Sequence, residues 1–312
     1  MSILIDKNTS ILIQGITGKQ GRYHTERTLE YGVKVLAGVT PGKGGEEVAG
    51  VPVYNSVSEA FSRHPQIEAS LILVPPSAVK VSALDAISTG IPLIVIVTEF
   101  VPVHDSLEIV TAAKEKGVQV LGPNTIGVIT PGESKVGIMP GYIYSRGKIG
   151  VISRSGTLTH ETASNMTFAG FGQSTCVGIG GDPIIGLTHK EALELFRDDQ
   201  ETELIVIIGE IGGVGEEMAA QYIKSTNYPK PVIAFIAGAQ APEGKKMGHA
   251  GAIVSGNMGT AKSKIESLKA AGVKVADTLG QLLELVEAEN AAMGGILSTV
   301  PPIKDIGVDA GQ

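Results

Sequence analysis

Short runs of branched aliphatic residues alternate along the chain with stretches whose apolar positions fall at helical spacing. Ser10 to Ile13, Lys34 to Val39, Ala69 to Val74, Pro92 to Val97 and Val118 to Leu121 form a first series. Runs that are apolar on both faces, separated by amphipathic segments, predict parallel strands covered by helices on either side. A second series follows at Lys148 to Ser153, Ser174 to Ile179, Glu203 to Ile208, Pro231 to Ala237 and Val273 to Ala276. Its helices are predicted over Glu191 to Arg197, Glu216 to Lys224 and Thr260 to Ala271. The strand–helix–strand rhythm thus occurs twice, and the fold class is α/β.

Between the two series, Gly122 to Lys148 carries Pro123, Pro131 and Pro140 among glycines, and no helical period survives there. The domain junction is expected in that stretch. A first domain then spans 1–125, a linker 126–147 and a second domain 148–288. The paired glycines and paired prolines of 289–312 predict a loose C-terminal tail. With 312 residues, two domains also match the usual domain size.

Composition narrows the function. The net charge is −7 and no basic block is available to neutralise a run of phosphates, so nucleic acid is an unfavourable partner. The longest apolar stretch, Ile91 to Val97, ends at Thr98-Glu99, short of the roughly 18 residues a membrane helix needs. The N-terminus has no basic start and no small-residue cleavage site, which argues against a secretory signal. A single cysteine, Cys176, excludes an internal disulfide and cysteine metal clusters, and its apolar strand assigns it to the core. A cytoplasmic or organelle-matrix location is the simplest expectation. Glycine is over-represented, at 41 of 312 residues against an average of about 7%. With no repeat or low-complexity tract to absorb them, these glycines belong in loops that punctuate strands.

In Ile11 to Gly21, ILIQGITGKQG, a strand runs into Gly15, Gly18 and Gly21 and then into a helical stretch from Arg22. Glycines at such a turn let backbone approach a diphosphate at a helix N-terminus. The spacing is one residue off the dinucleotide fingerprint, so a phosphate cradle and a tight structural turn both fit. After the second strand, VLAGVTPGKGG offers Lys43 and no acid before Glu46. A cation there suits a ligand with an extra ribose phosphate, NADP or coenzyme A, whereas an acid would suit NAD. A solvated loop lysine is the alternative.

Four loops that follow strands of the second series should emerge on one carboxyl edge, where open α/β sheets bind ligands. The first contains Ser153-Arg154-Ser155-Gly156-Thr157, which has the character of an anion cradle at a helix start. The second is Gly178-Ile179-Gly180-Gly181-Asp182-Pro183 and the third Gly209-Glu210-Ile211-Gly212-Gly213. The fourth, long loop includes Lys245-Lys246-Met247-Gly248-His249-Ala250-Gly251-Ala252. His249 stands among small residues that leave its ring accessible, as a nucleophile receiving a bulky group requires. Glu210 could orient that imidazole through one ring N–H; the alternatives are a structural histidine and a capping carboxylate. His24, His64, His104 and His189 have no partners at ligand spacing, so no metal site is expected. No GxxxxGK[ST] loop or kinase signature occurs, so phosphate chemistry here would need a nucleotide held by another chain.

Together SILIDKNT, VTPGKGG, SRSGTLT, GFGQSTCVGIGGDPI, IGEIGG and MGHAGAI resemble the succinyl-CoA synthetase (succinate-CoA ligase) alpha subunits, over Ser2 to about Val286. The resemblance implies an N-terminal CoA-binding Rossmann-like domain followed by a flavodoxin-like parallel-sheet domain. It also implies a beta subunit, in a heterodimer or heterotetramer, whose ATP-grasp domain binds ATP or GTP with Mg2+. His249 would be the phosphohistidine, supported by Glu210, with Ser155, Gly156 and Thr157 on the phosphate. CoA would lie on Thr17, Gly18, Lys19, Gln20, Lys43, Val97, Thr98 and Glu99. Two departures fall where the family handles its acid: Asn124-Thr125-Ile126-Gly127 stands where the family reads NCPG, and His160 replaces a tyrosine. His160 shortens the reach and introduces a group able to carry positive charge. The expected reaction makes an acyl-CoA from succinate or from another anionic acid such as malate, citrate or a sulfonated carboxylate. A non-catalytic CoA-binding subunit and an NADP-dependent oxidoreductase are the alternatives from other classes.

Overall fold

A computed structural model describes residues 3–239, 248–253 and 259–299 of the chain. In the first half, β1 (Ser10–Gln14) leads into α1 (Lys19–Glu30), followed by β2 (Lys34–Val39), β3 (Glu47–Val48), β4 (Val51–Tyr54) and α2 (Val57–Arg63). Then come β5 (Ala69–Ile72), α3 (Pro76–Thr89), β6 (Leu93–Ile96), α4 (Val103–Lys116) and β7 (Gln119–Leu121). Local chemistry sets the helix limits. Pro76 opens α3, where a missing N–H has no consequence, and Gly90 and Gly117 close α3 and α4 in the left-handed conformation.

The first sheet runs β3-β4-β2-β1-β5-β6-β7, with β3 antiparallel to β4 and the other pairs parallel. Counted along the chain, its parallel strands stand in the order 3-2-1-4-5-6, the doubly wound order of dinucleotide-binding domains. The direction of winding reverses between β1 and β5, and the Gly15–Gly21 turn sits at that switch point.

The second half contains β8 (Gly127–Thr130), β9 (Ser134–Gly137), β10 (Arg146–Ser153), α5 (Gly156–Phe168), β11 (Gln173–Gly178) and α6 (His189–Arg197). It continues with β12 (Leu204–Glu210), α7 (Gly215–Thr226), β13 (Val232–Ala237), α8 (Ala261–Ala270), β14 (Lys274–Ala276) and α9 (Leu279–Ala292). Strand order is β14-β13-β12-β10-β11-β8-β9. Its parallel strands stand as 2-1-3-4-5, the flavodoxin-like order, with the switch between β10 and β12. Both expected sheets are present, and their strand interiors are apolar on both faces: Ile11, Leu12, Ile13, Ile94, Val151, Ile152 and Val206 are all fully buried.

Two stretches depart from the expected organisation. Residues read as a linker contain β8 and β9, which add to the second sheet through an antiparallel pairing of β8 on β11. Each strand is only four residues long and flanked by Gly and Pro, too short for a period to register. Gly127 and Gly137 face each other across this hairpin, and a Cβ on either would lie 2.1 or 2.2 Å from an opposing backbone oxygen. The glycines there permit strand contact. Thr130, at the end of β8, donates its hydroxyl to the Ile5 carbonyl at 3.1 Å and ties this hairpin to the first half.

The stretch read as a loose tail is partly packed. Helix α9 continues to Ala292, Leu297 is fully buried, Ser298 bridges Phe171, and Thr299 N–H donates to the Gly170 carbonyl at 3.1 Å. The rest of the expected tail, 300–312, lies outside the described residues. Leu297→Ala should therefore lower stability by about 2 to 5 kcal/mol, as for other buried leucines. The half-exposed neighbour Ile296, replaced by Ala, should change it little. Denaturant midpoints of the two variants check this.

Candidate active site

At the first switch point, backbone closeness defines the turn after β1. A Cβ on Gly21 would lie 2.1 Å from the Gly15 carbonyl oxygen, and Gly15 itself has φ of +79°. These glycines fold the chain so that α1 begins directly over the strand end. Gly18 caps α1 without any side-chain bond, and its first turn has no acid. Its leading N–H groups are left for an anion. The tight turn exposes these donors at the start of α1.

That helix start opens on a cleft of about 860 Å³ between the two halves. From the first half the cleft gathers Gly18, Lys19, Gln20, Val97, Thr98 and Glu99. The second half contributes Asn124, Thr125, Ile126, Gly156, Thr157 and His160, and His249 stands at the same cleft. The start of α5, like that of α1, has no acid in its first turn.

Several expected residues stand elsewhere or are otherwise engaged. Lys43 lines no part of the cleft; half exposed, it pairs with Glu46 at 2.9 Å, because a turn places the two at helical spacing. Thr17 faces an adjoining cavity of about 400 Å³ with Thr40, Asn55 and Ser82, and this cavity shares Gly18, Val74 and Pro75 with the cleft. Ser155 is the N-cap of α5: its hydroxyl accepts from Leu158 N–H at 3.4 Å and its own N–H donates to Ser153 Oγ at 3.1 Å. Gly156 and Thr157 are the cradle residues that line the cleft. Thr125 uses its hydroxyl on backbone, donating to Gly178 O and accepting from Gly127 N–H, so it shapes the wall. Burial pushes the His160 imidazole below its ordinary value, which favours the neutral form over the positive charge it is able to carry.

The loop after β13 brings His249 onto the ends of β10 and β12. Its Nδ1 lies 2.7 Å from Glu210 Oε2, which leaves Nε2 as the other reactive nitrogen. The hydrogen bond to Glu210 raises the His249 pKa above its ordinary value, burial works against this, and the charges of Glu210 and Asp182 add to it while Arg154 opposes. The ring fits because residue 181 is glycine: a Cβ there would lie 2.5 Å from His249 Cγ. Lys245, Lys246 and Met247, read as part of the same loop, lie outside the described residues.

Arg154 and Asp182 complete the arrangement and were not singled out from sequence. Arg154 is buried, donates from Nε to Gly180 O at 3.3 Å and from Nη2 to Asp182 O at 3.2 Å, and sits 3.4 Å from Glu210 Oε1. Asp182 accepts from Asn124 Nδ2 at 3.1 Å, and burial holds its carboxyl above the ordinary range. The available signal was an arginine inside a hydroxyl-rich loop and an aspartate after paired glycines. Only the crossing of the two loops gives either a role.

Replacing Glu210 by Gln removes the charge that favours protonated His249. The His249 midpoint, raised above its ordinary value in the native chain, should fall, so the ring becomes neutral at a lower pH. Titration of the imidazole by NMR reads this directly, and an unchanged midpoint would show that Glu210 does not control the ring.

Comparison with known proteins adds an independent line. The CoA binding domain family matches residues 6–100 and the CoA-ligase family matches residues 152–274. The succinate–CoA ligase [ADP-forming] subunit alpha of Methanothermobacter thermautotrophicus is 54% identical, covering 92% of this chain and 97% of that protein. The subunit of the same name from Aquifex aeolicus is 51% identical over 93% of this chain and 97% of its own length. Among solved structures, ATP citrate lyase from Methanothrix soehngenii superposes with a TM-score of 0.85 at 22% identity. It covers 96% of this chain, which spans 54% of that longer one, and the likeness concerns the fold alone. With both family matches falling on the two sheets that frame the cleft, the chain belongs to the succinate–CoA ligase alpha-subunit family, a component of an acid–CoA ligase.

Proposed function

We propose that His249 carries a phosphoryl group between a nucleotide and a small carboxylic acid, and that the acyl group then passes to CoA. The observation that carries this reading is the Glu210 bond to His249 Nδ1, made in a cleft that also holds the starts of α1 and α5. With Nδ1–H held by Glu210, Nε2 has the lone pair that attacks the terminal phosphorus, and the bond to the nucleotide's bridging oxygen breaks. The phosphoryl oxygens then face the N–H groups of Gly156 and Thr157, where the helix dipole favours negative charge. A carboxylate oxygen of the acid takes the phosphoryl group from Nε2 and becomes an acyl phosphate. The CoA sulfur attacks its carbonyl carbon, the thioester forms, and inorganic phosphate leaves.

The remaining parts follow the same reading. CoA lies along Thr17, Gly18, Lys19, Gln20, Val97, Thr98 and Glu99 of a domain spanning 1–125, residues that line the two adjoining cavities. Lys43, paired and outside both, has a lesser part. The acid is succinate or a close analogue with a second anionic or polar end, flanked by Asn124, Ile126 and the neutral His160. A beta subunit with an ATP-grasp domain supplies Mg2+ and ATP or GTP, in a heterodimer or heterotetramer, in the cytoplasm or an organelle matrix. Among the described residues no helix is long and apolar enough to cross a membrane.

Intact mass spectrometry of the chain purified with its partner, after addition of Mg-nucleotide, tests the proposal. One phosphoryl group mapping to His249 is expected, discharged by CoA together with one acid of a panel containing succinate, malate, citrate and sulfonated acids. His249→Ala should abolish the modification and leave the CoA-dependent rise in melting temperature intact. Absence of the phosphoryl group in a complex that binds nucleotide would remove His249 from the mechanism. A CoA effect alone would then indicate a binding subunit, and an NADP effect an oxidoreductase.

A further inference from the structure

Behind the cleft, on the interior side of Glu210, lies a charged cluster that the proposed chemistry does not use. Glu216 and Lys264 are both fully buried, and their side chains form a direct ion pair. Lys264 Nζ also donates to the Gly212 carbonyl at 2.8 Å and lies 3.8 Å from Glu217 Oε2. Glu216 Oε1 accepts the backbone N–H of Glu210 at 3.0 Å, and His189, also buried, lies 3.8 Å from the same oxygen. A buried ion pair is weak evidence for stability, because an apolar pair of similar volume commonly serves as well. Its position requires another explanation.

Strand register supplies one. In β12, the next N–H along, Ile211's, donates toward β13, to the Ala237 carbonyl at 3.2 Å, so Glu210's N–H points to the β10 side. Pairing with β10 ends at Ser153 opposite Ile208, and Arg154 N–H then bonds the Ile208 carbonyl, which leaves Glu210's N–H beyond the partner strand. The Glu216 carboxylate stands in for the missing strand carbonyl. Residue 209 is glycine where this approach demands it, since a Cβ would lie 2.6 Å from Glu216 Oε1. Lys264 then fixes the other end of the same loop at Gly212. Gly212 in turn has the His249 loop directly against it, with Gly251 O 2.0 Å from where a Cβ would stand.

We infer that Glu216 and Lys264 are positioning residues for the reaction, holding the Glu210 loop at the height where its carboxylate meets His249 Nδ1. This rests on the reading of His249 as the phosphorylated residue. Burial alone would push the Glu216 carboxyl up, yet the cationic neighbours Lys264 and Arg154 help to hold it below the ordinary range, so it is an anion. Burial pushes His189 down to about 4, so it is neutral at pH 7 and Lys264 is the balancing charge. The Glu210 carboxylate itself has one firm side-chain partner, His249, with Arg154 at 3.4 Å, so its placement depends on its backbone.

Lys264→Met alone leaves a buried carboxylate without its cation and is a poor test, because it is expected to fold badly. Two charge-free double variants separate positioning from stability. Glu216→Gln/Lys264→Met retains an acceptor for the Glu210 N–H, and Glu216→Leu/Lys264→Met does not. Each is purified with the partner subunit, and CoA affinity reports that the other domain is intact. Single-turnover phosphorylation by Mg-nucleotide is expected to be at least tenfold slower in the Leu variant than in the Gln variant, with CoA dissociation constants within about twofold of each other. The His249 imidazole midpoint should fall in the Leu variant and stay near native in the Gln variant. Equal phosphorylation rates and equal midpoints in the two folded variants would overturn the inference. If the native complex itself is not phosphorylated, the functional reading fails first, and the imidazole midpoints still decide whether the cluster sets the Glu210–His249 contact.

Discussion

Backbone donors that outrun their partners organise this molecule. A parallel sheet satisfies its N–H groups only where neighbouring strands are of equal reach, and helices leave their first turn unsatisfied by construction. At the carboxyl edge of each sheet these unmet donors accumulate. In the first half they form the uncapped start of α1 over the Gly15–Gly21 turn, and in the second the start of α5 and the N–H of Glu210. The first two face the cleft. The third is closed by a carboxylate, Glu216.

The same edge explains why several charges lie within a few ångströms without cancelling. Arg154 reaches across from the β10 loop to the carbonyls of Gly180 and Asp182, so its guanidinium serves the backbone first and approaches Glu210 at 3.4 Å second. A stronger Arg154–Glu210 pair would withdraw the carboxylate from His249. Asp182, bonded to Asn124, joins the wall of the cleft to the same group, and the neighbouring Gly181 carbonyl accepts the Gly251 N–H of the histidine loop. Glycine at 181, 212 and 251 is required by the closeness of these loops, since a Cβ at each would stand within 2.5 Å of a neighbouring atom.

How much of this is legible in the sequence follows from the range of each interaction. Strand runs and the glycine turn after β1 are local, and both sheets follow from them. The hairpin of β8 and β9 is local too, but eight residues of strand among prolines and glycines carry no readable period. Short motifs mark strand ends, and strand ends of one parallel sheet share an edge, so the nearness of His249, Glu210, Gly156 and Thr157 is legible in the sequence. Lys43 is the complementary case: it stands off the cleft lining and pairs with Glu46 through a turn that the sequence does not announce. Lys264 and Glu216 are the extreme case. Each looks like an ordinary charged position on a surface helix, and only the contact of α7 with α8, 48 residues apart in the chain, turns both inward.

The Glu210–His249 bond also contains an opposition that the rest of the site moderates. A carboxylate on Nδ1 makes Nε2 a better nucleophile and selects the right tautomer, but the same charge stabilises the imidazolium, which has no lone pair to give. That effect raises the imidazole pKa above its ordinary value. Partial burial of His249 and the nearby guanidinium of Arg154 both push the other way, while Asp182 adds to the carboxylate's effect. On the proposed reading, a phosphorylated Nε2 would change the sign of that balance. The ring would then need a carboxylate on its remaining N–H, and the Glu210 contact that limits attack would become the contact that holds the phosphorylated ring. An arrangement with Glu210 swung onto Arg154 would favour the free histidine and penalise the loaded one. On that reading the Glu210–His249 contact would favour retention of the phosphoryl group until an acceptor arrives, and the hydrogen bond from Glu210 N–H to Glu216 would keep that contact in place.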